Sequence, residues 1–215
     1  MNINKFNNFL DAFEYKVSTD GLDKKIILPS DIQDINAGII KNSCYLESVI
    51  IPEGVTIIGR GAFYSCLALK KVMIPSSVTI IGDDAFYNCY LLTSITIPNG
   101  VKKIGWHAFT NCKSLESITI PGGVSRIGNQ LFANCCSLRS VTISNGVTSI
   151  GEGAFANCTA LETVTIPESV TSIDECAFGA WDGSYPENVV IRGKSGSVAE
   201  TYANNHGHGF TFVAI

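Results

Sequence analysis

The sequence is poor in charge and lacks any stretch that favours a membrane or a polyanion. Only 16% of its 215 residues are charged, and the formal net charge is −4. The basic residues form no block, so neither nucleic acid nor an anionic membrane is expected as a partner. No apolar run reaches the roughly 18 residues of a transmembrane helix. The N-terminus, MNINKFNNFL, has no apolar segment, so the sequence as given shows no signal peptide.

Residues that carry catalysis are also scarce. The chain has three histidines, and it contains no G-x-S-x-G, H-E-x-x-H or phosphate-binding loop pattern. His206 and His208 share one loop, but no third metal ligand is evident, and no C-x-x-C pair is present. The sequence therefore predicts a non-enzymatic protein with no cofactor, no metal and no catalytic residues.

What the chain has in abundance is repetition. A leucine recurs every 23 residues, and everything between these leucines aligns without a gap. The shared pattern is L-x-x-[IV]-x-I-P-x-x-V-x-x-I-G-x-x-A-F-x-x-C-x-x, and a degenerate copy covers 23–45. Constant length without insertion indicates a solenoid in which each copy forms one coil. The leucines are Leu46, Leu69, Leu92, Leu115, Leu138 and Leu161.

The columns of the repeat predict local structure. Ser117, Ile118, Thr119 and Ile120 alternate polar and apolar side chains, which is the period of a strand, so strands of successive coils should pair in parallel. Proline follows the strand in most copies and ends the ladder because it lacks an N–H. The A-F-x-x-C segment predicts one helical or 3₁₀ turn on the back of the coil, with its phenylalanine in the core.

Two further columns predict turns. The column after the second isoleucine holds glycine, replaced only by Asn36 and Asp174. These residue types tolerate positive φ best, so the column predicts a left-handed turn in every coil. An asparagine column is expected at the end of the back turn, a position that suits asparagine. The two columns are Gly59, Gly82, Gly105, Gly128, Gly151 and Asn88, Asn111, Asn134, Asn157.

The cysteines follow the repeat as well. Five thiols in one column cannot all pair, which favours a ladder of reduced, buried cysteines over one or two disulfides or a reactive thiol. Cys44, Cys136 and Cys176 lie off the column, and Cys176 is expected to face water and to be the most reactive. The column cysteines are Cys66, Cys89, Cys112, Cys135 and Cys158.

The two ends break the pattern and are predicted to cap the solenoid. Residues 1–22 form the predicted N-terminal cap, 23–183 the seven repeats, and 184–215 the C-terminal cap. In the C-terminal cap, NVVIRG and FTFVAI are predicted strands. SVAETYANNHG is a predicted short helix with a capping box between Ser197 and Glu200 and a stop at Gly207.

The column pattern resembles the BspA-type leucine-rich repeat family over about residues 23–183, and GSVAETYANNHGHGFTF is similar to a terminal element of these proteins. The resemblance implies a leucine-rich-repeat solenoid, a curved right-handed superhelix of α/β type with short parallel strands on its concave side. It also implies adhesion to host or matrix proteins, often at the cell surface or after secretion. No common catalytic residue is implied.

Function is then sought in the columns that point outward from the strands. Ile27, Ile50 and Met73 form an apolar stripe flanked by Lys25 and Lys71, while later coils carry serine and threonine. An exposed apolar stripe can mark an interaction site. The alternatives are that the N-terminal cap covers it, or that β-branched residues simply suit strands.

A second irregularity is a basic and aromatic group in columns that elsewhere are small or acidic. Trp with basic neighbours predicts a contact patch, and solvated variation is the alternative. The sequence thus predicts a binding protein that holds a protein, or a glycan, on its concave face. A structural spacer in a surface assembly is the alternative. The group comprises Trp106, His107, Lys102, Lys103, Lys113 and Arg126.

Overall fold

The chain folds into a parallel β-solenoid whose coils follow the 23-residue repeat. The computed structural model describes residues 25–28, 30–35, 37–179, 183, 185–206 and 209–215. The predicted N-terminal cap, 1–22, lies outside these residues. We number the coils 1 to 7 from 23–45 to 161–183 in steps of 23 residues.

Each coil contributes one strand of two to four residues to a front surface and one strand of two residues to a side surface. The front strands are β1 (Lys25–Ile27), β3 (Ser48–Ile50), β5 (Lys71–Met73), β7 (Ser94–Ile95), β9 (Ser117–Ile120), β11 (Ser140–Ile143) and β13 (Thr163–Thr165). The side strands are β2 (Asp34–Ile35), β4 (Ile57–Ile58), β6 (Ile80–Ile81), β8 (Lys103–Ile104), β10 (Arg126–Ile127), β12 (Ser149–Ile150) and β14 (Ser172–Ile173).

The predicted parallel pairing is confirmed, and its register repeats the spacing of the sequence. Ser140 pairs with Ser117 on one side and with Thr163 on the other, so equivalent residues of successive coils lie side by side. The alternation is also confirmed, because β9 and β11 bury every second side chain. A column of the sequence is therefore a row on the molecule.

Both surfaces are interrupted at the same place. The front strands form one sheet in the order β1-β3-β5-β7, and a second in which β9, β11 and β13 continue into two C-terminal strands. The side strands divide into β2-β4-β6-β8 and β10-β12-β14. Neither ladder joins coil 4 to coil 5.

The core consists of stacked rows of identical residues. Six phenylalanines, one from each coil after the first, are at most 1% exposed. Consecutive rings stack with centroids 5.1 to 5.5 Å apart and planes within 11° of parallel. Each stacked pair contributes about 0.5–1.5 kcal/mol of stability beyond the free energy of burying the two rings. The row is Phe63, Phe86, Phe109, Phe132, Phe155 and Phe178.

The back of each coil is a series of tight turns rather than a helical segment. In coil 2, the N–H of Ala62 donates to Gly59 and that of Cys66 donates to Phe63, both at 3.2 Å. These are i to i−3 bonds, but they do not build a helix. In the described part of the chain the single helix is α1 (Val198–Asn205), so the predicted helical turns are not confirmed.

The predicted left-handed turn at the glycine column is wrong. Gly59, Gly82, Gly105, Gly128 and Gly151 do not have positive φ, which occurs instead two residues later, at positions such as Gly61 and Gln130 (both +57°). The reason for glycine is close approach to the preceding coil. A Cβ at Gly82 would stand 2.7 Å from the backbone nitrogen of Arg60, closer than Cβ atoms come to their neighbours.

The asparagine column does have left-handed backbone. Asn88, Asn111, Asn134 and Asn157 have φ between 58° and 63°. Asparagine tolerates this conformation better than most residues because its short polar side chain forms local hydrogen bonds. The prediction that this position suits asparagine is borne out, although the turn that it ends is not helical.

The C-terminal residues extend the front sheet. The two strands predicted there are formed as β15 (Val189–Gly193) and β16 (Phe210–Ala214), and both pair in parallel with the sheet. Helix α1 contacts both strands. The predicted capping box is wrong: the Ser197 side chain makes no cap bond, and Glu200 accepts the N–H of Gly196 instead. Gly207 lies outside the described residues, and the cap boundaries stay a prediction.

Candidate binding surfaces

The apolar stripe predicted from the sequence is continuous on the front sheet. The register pairs Ile27 with Ile50 and Ile50 with Met73, so the three side chains form one row across three neighbouring strands. Ile27 is 66% exposed and Met73 is 52% exposed, while Ile50 between them is half-buried. We call Ile27, Ile50 and Met73 the front stripe.

Two lysines flank the front stripe. Lys25 and Lys71 each pair with Ser48, so they stand one row away from the apolar side chains, and both are exposed. In the described residues neither ammonium group has a carboxylate within 4.0 Å. The structure therefore brings together five of the seven predicted site residues on one surface.

The front sheet changes character after coil 3. The row of the front stripe continues as Thr96, Thr119, Thr142 and Thr165, of which the first three are exposed. Threonine is β-branched, and β-branched residues are favoured in strands whether or not they bind a ligand. The apolar part of the row is thus confined to the first three coils.

Three exposed apolar residues were missed by the sequence interpretation. Tyr45, Leu67 and Leu91 lie in the turns that precede the front strands, and all three are exposed. Most other residues in their columns are small or polar, such as Ser114 and Thr159. Comparing those turn columns, and not only the strand columns, would have found them. They add apolar surface to the same end of the solenoid.

Trp106 and His107 lie elsewhere, at the corner between the side surface and the back. The Trp106 indole is 69% exposed, and its backbone N–H donates to Asp83 Oδ1 at 3.0 Å. His107 has positive φ (+56°) and bridges its neighbours: Nε2 lies 3.2 Å from Gln130 Oε1, and Nδ1 lies 3.8 Å from Asp84 Oδ1. These two predicted site residues are therefore separate from the front stripe, and His107 has the contacts of a structural residue.

The family is decided by a match that spans most of the chain. The model of the BspA type leucine rich repeat region matches residues 12–135 and 56–184, with six copies of the repeat. The chain belongs to the BspA-type leucine-rich repeat family.

Solved structures of bacterial leucine-rich repeat proteins have a similar fold. A leucine rich repeat protein of T. pallidum is 25% identical, with a TM-score of 0.69, over 90% of this chain and 87% of that one. A leucine-rich repeat protein from Bacteroides ovatus is 29% identical, with a TM-score of 0.66, over 80% of this chain and 48% of that one. A search of curated proteins finds no match.

The family and the fold are those of BspA-type repeat proteins, which are generally non-enzymatic. Membership of this family suggests a role in protein interaction. In the part of the chain that the structure describes, no three histidine, cysteine or acidic side chains are grouped to hold a metal ion. A search of the same residues for a helix able to cross a bilayer finds none.

The cysteine row is built for packing. The five column thiols are buried, whereas Cys44, Cys136 and Cys176 are exposed, and all eight are free. Each buried Sγ donates to a backbone carbonyl 26 residues earlier, as Cys112 does to Phe86 at 3.4 Å. Burial raises the pKa of Cys66 to about 11 and raises the pKa of Cys112 further. The buried thiols therefore stay protonated and unreactive at neutral pH.

Proposed function

We propose that the protein is a non-enzymatic binding solenoid that recognises a protein partner with the front stripe. The observation that supports this most directly is the row of Ile27, Ile50 and Met73, which places exposed apolar side chains on three adjacent strands. Apolar side chains that cluster on an otherwise polar surface mark interaction sites. The family resemblance implies that this sheet lies on the concave side of the solenoid, and we include that placement in the proposal.

The setting of the front stripe favours a protein surface as the ligand. Lys25 and Lys71 form a charged border beside an apolar centre, which is the arrangement of a polar rim around an interface core. Tyr45, Leu67 and Leu91 extend the apolar surface at the same end of the solenoid. A site for a glycan would be expected to have several exposed aromatic rings next to the stripe.

A location at the cell surface, or outside the cell, is the second part of the proposal. It rests on the family and on the adhesive role that the family resemblance implies. An antibody against the chain should then stain intact cells as strongly as permeabilised cells. Staining that appears only after permeabilisation would refute this part and leave the binding part untouched.

The experiment for the binding part uses an array of immobilised extracellular-matrix and host-surface proteins. Ile50→Asp together with Met73→Asp should abolish capture, because two carboxylates in the centre of an apolar contact are desolvated without a partner. The matched control is Thr119→Asp together with Thr142→Asp, which puts the same charges on the same row three coils further along. Thermal unfolding of all variants confirms that they are folded.

The outcomes separate the alternatives. Loss of capture in the stripe variant alone supports the proposal. Equal capture by the stripe variant and the wild type contradicts the front stripe as the binding site. Self-association in sedimentation, with no captured protein, supports the spacer alternative instead.

A further inference from the structure

The side surface is open between coils 4 and 5. In the other coils an N–H at the corner donates to the isoleucine carbonyl of the preceding coil, as Gly105 does to Ile81 at 2.8 Å and Gly151 to Ile127 at 2.9 Å. Within 37–179 the equivalent bond from Gly128 to Ile104 is absent, and β8 and β10 do not pair. We call this opening the seam.

The seam does not reach the back of the coils. On the back, the N–H of Phe109 still donates to Leu131 at 3.1 Å, and that of Asn111 donates to Ala133 at 2.8 Å. The rings of Phe109 and Phe132 stack at 5.2 Å, like those of the other coils. The coils therefore stay joined through the core, and the seam is a local feature of the surface.

Trp106 lies across the seam. A Cβ at Gly105 would fall on the backbone nitrogen of Asp83, whereas a Cβ at Gly128 would meet only Cδ1 of Trp106, at 3.5 Å. Coil 5 thus stands further from coil 4 at this corner, and the indole covers part of the gap. More than two thirds of this large apolar side chain nevertheless faces water.

Three exposed cations lie on the same two coils as the indole and have no carboxylate partner among the described residues. Lys103 and Arg126 begin β8 and β10, on the two sides of the seam, and Lys102 precedes Lys103; all three are exposed. The Arg126 guanidinium donates a hydrogen bond to the amide oxygen of Asn129, at 3.3 Å. Among the described residues no carboxylate lies within 4.0 Å of any of the three. Of the two carboxylates on the preceding coil, Asp83 accepts the backbone N–H of Trp106 and Asp84 lies 3.6 Å from Arg60.

The local charge is opposite to that of the whole chain. Coils 4 and 5 contain four basic residues and one acidic residue, so they carry +3, while the chain carries −4. A positive region on a negative protein attracts acidic ligands and accelerates their association. The five residues are Lys102, Lys103, Lys113, Arg126 and Glu116.

We propose that Lys102, Lys103, Trp106 and Arg126, the seam patch, bind an acidic segment of a protein partner. The cations pair with carboxylates of the segment, and the indole packs against an apolar side chain between them. Tryptophan and arginine are the residues that contribute most often to interface hot spots. The cations lie on two neighbouring coils, whose core phenylalanines stack at 5.2 Å, and this short span suits a short acidic segment better than an extended polyanion. The seam patch is independent of the front stripe.

The probe for this site is a fluorescein-labelled peptide of alternating glutamate and leucine, titrated against the full chain by fluorescence anisotropy. A Lys-Leu peptide of the same length should not bind. Lys103→Glu together with Arg126→Glu should weaken binding by about tenfold or more, and so should Trp106→Ala, because hot-spot losses are of this size. Binding should also weaken as salt is added.

The control variants change charge or surface elsewhere. Lys41→Glu together with Arg192→Glu removes two exposed cations outside coils 4 and 5 and changes the net charge equally. Ile50→Asp together with Met73→Asp alters the front stripe. Both controls should bind the Glu-Leu peptide as the wild type does, whatever happens to the proposed function.

A direct readout comes from the indole itself. In a Trp181→Phe background Trp106 is the one remaining tryptophan, and its emission should move to shorter wavelength when the peptide covers it. Failure of the Glu-Leu peptide to bind, equal weakening by the charge control, or an unchanged Trp106 emission at saturation would each overturn the proposal. Saturable binding of heparin in place of the peptide would also overturn it and assign the seam patch to a polysaccharide.

Discussion

Asn111 donates a hydrogen bond from its side-chain Nδ2 to Oδ1 of Asn88, the equivalent residue one coil earlier, at 2.8 Å. Asn157 donates to Asn134 in the same way and at the same distance. Both donors have left-handed backbone. One side chain therefore meets two demands, since asparagine tolerates positive φ and also links neighbouring coils.

Replacing Asn111 should separate these two contributions. Asn111→Gly loses the side-chain bond but accepts the left-handed backbone, and it should lower the free energy of unfolding by about 1 kcal/mol. Asn111→Ala loses the bond and also strains the backbone, which adds about 1–2 kcal/mol. Urea unfolding of the two variants gives the comparison. Equal stability of the two would mean that the backbone strain is relieved by local movement.

The glycine column makes a paired prediction. Gly105→Ala should destabilise the protein by more than about 2 kcal/mol, because overpacking that displaces backbone costs roughly this much, and its Cβ would fall on the backbone of Asp83. Gly128→Ala should be tolerated, because its Cβ meets only the Trp106 ring at 3.5 Å. Thermal unfolding of both variants is the measurement. Similar losses at both positions would contradict the close-approach explanation.

The phenylalanine stack should be sensitive to deletion in its middle. Phe109 is fully buried between Phe86 and Phe132. Phe109→Ala should cost about 3–5 kcal/mol, and Phe109→Leu should cost clearly less because it leaves a smaller cavity. Denaturant unfolding measures both. A loss below about 1 kcal/mol for Phe109→Ala would show that the row can collapse around the gap.

Thiol labelling should divide the cysteines into two classes. In the native protein Cys44, Cys136 and Cys176 should react with iodoacetamide, and the five buried cysteines should react only after unfolding. Peptide mapping by mass spectrometry identifies the labelled positions. Native labelling of Cys112 would contradict the packed core.

The buried thiols should also make the protein less stable at alkaline pH. Unfolded cysteines ionise above about pH 8.5, whereas burial holds the pKa of Cys66 at about 11 and that of Cys112 above its ordinary value. The folded state then binds more protons, so the free energy of unfolding falls as pH rises above 8.5. One buried thiol accounts for about 2 kcal/mol by pH 10.

A single substitution isolates this effect. Cys112→Ala removes one titrating thiol, so its stability should fall less steeply between pH 7 and pH 10 than that of the wild type. All other ionisable groups are common to both proteins, so the difference between the two pH dependences reports the thiol. Urea unfolding at the two pH values is the measurement, and identical pH dependence would contradict a protonated Cys112 in the native state.

The repeat period determines much of this fold in advance. Because Leu115 and Leu138 are separated by the same 23 residues as every other pair, the register of the strands and the row of phenylalanines follow from spacing alone. The column pattern cannot distinguish two reasons for glycine. Positive φ and close approach both select it, and only the coordinates assign close approach to Gly82 and Gly105.

The candidate sites were less predictable, because they depend on departures from the repeat. Ile27 and Met73 stand out as apolar residues in an outward column, so the front stripe was accessible from the sequence. The seam was not, since Gly128 and Ile104 fit their columns perfectly well and yet form no hydrogen bond. The spacing of coils 4 and 5 is a property of how two coils pack together, whereas a column compares single residues.

The register of the strands also has a consequence for how the chain folds. Partners such as Val141 and Ile118, or Val141 and Val164, are one coil apart along the backbone. The loop that must close before a new contact forms therefore has the same length at every step, and the search for that contact does not become slower as the stack grows. Because folding rate falls as the mean sequence separation of contacts rises relative to length, we expect assembly by stepwise growth from whichever coil orders first.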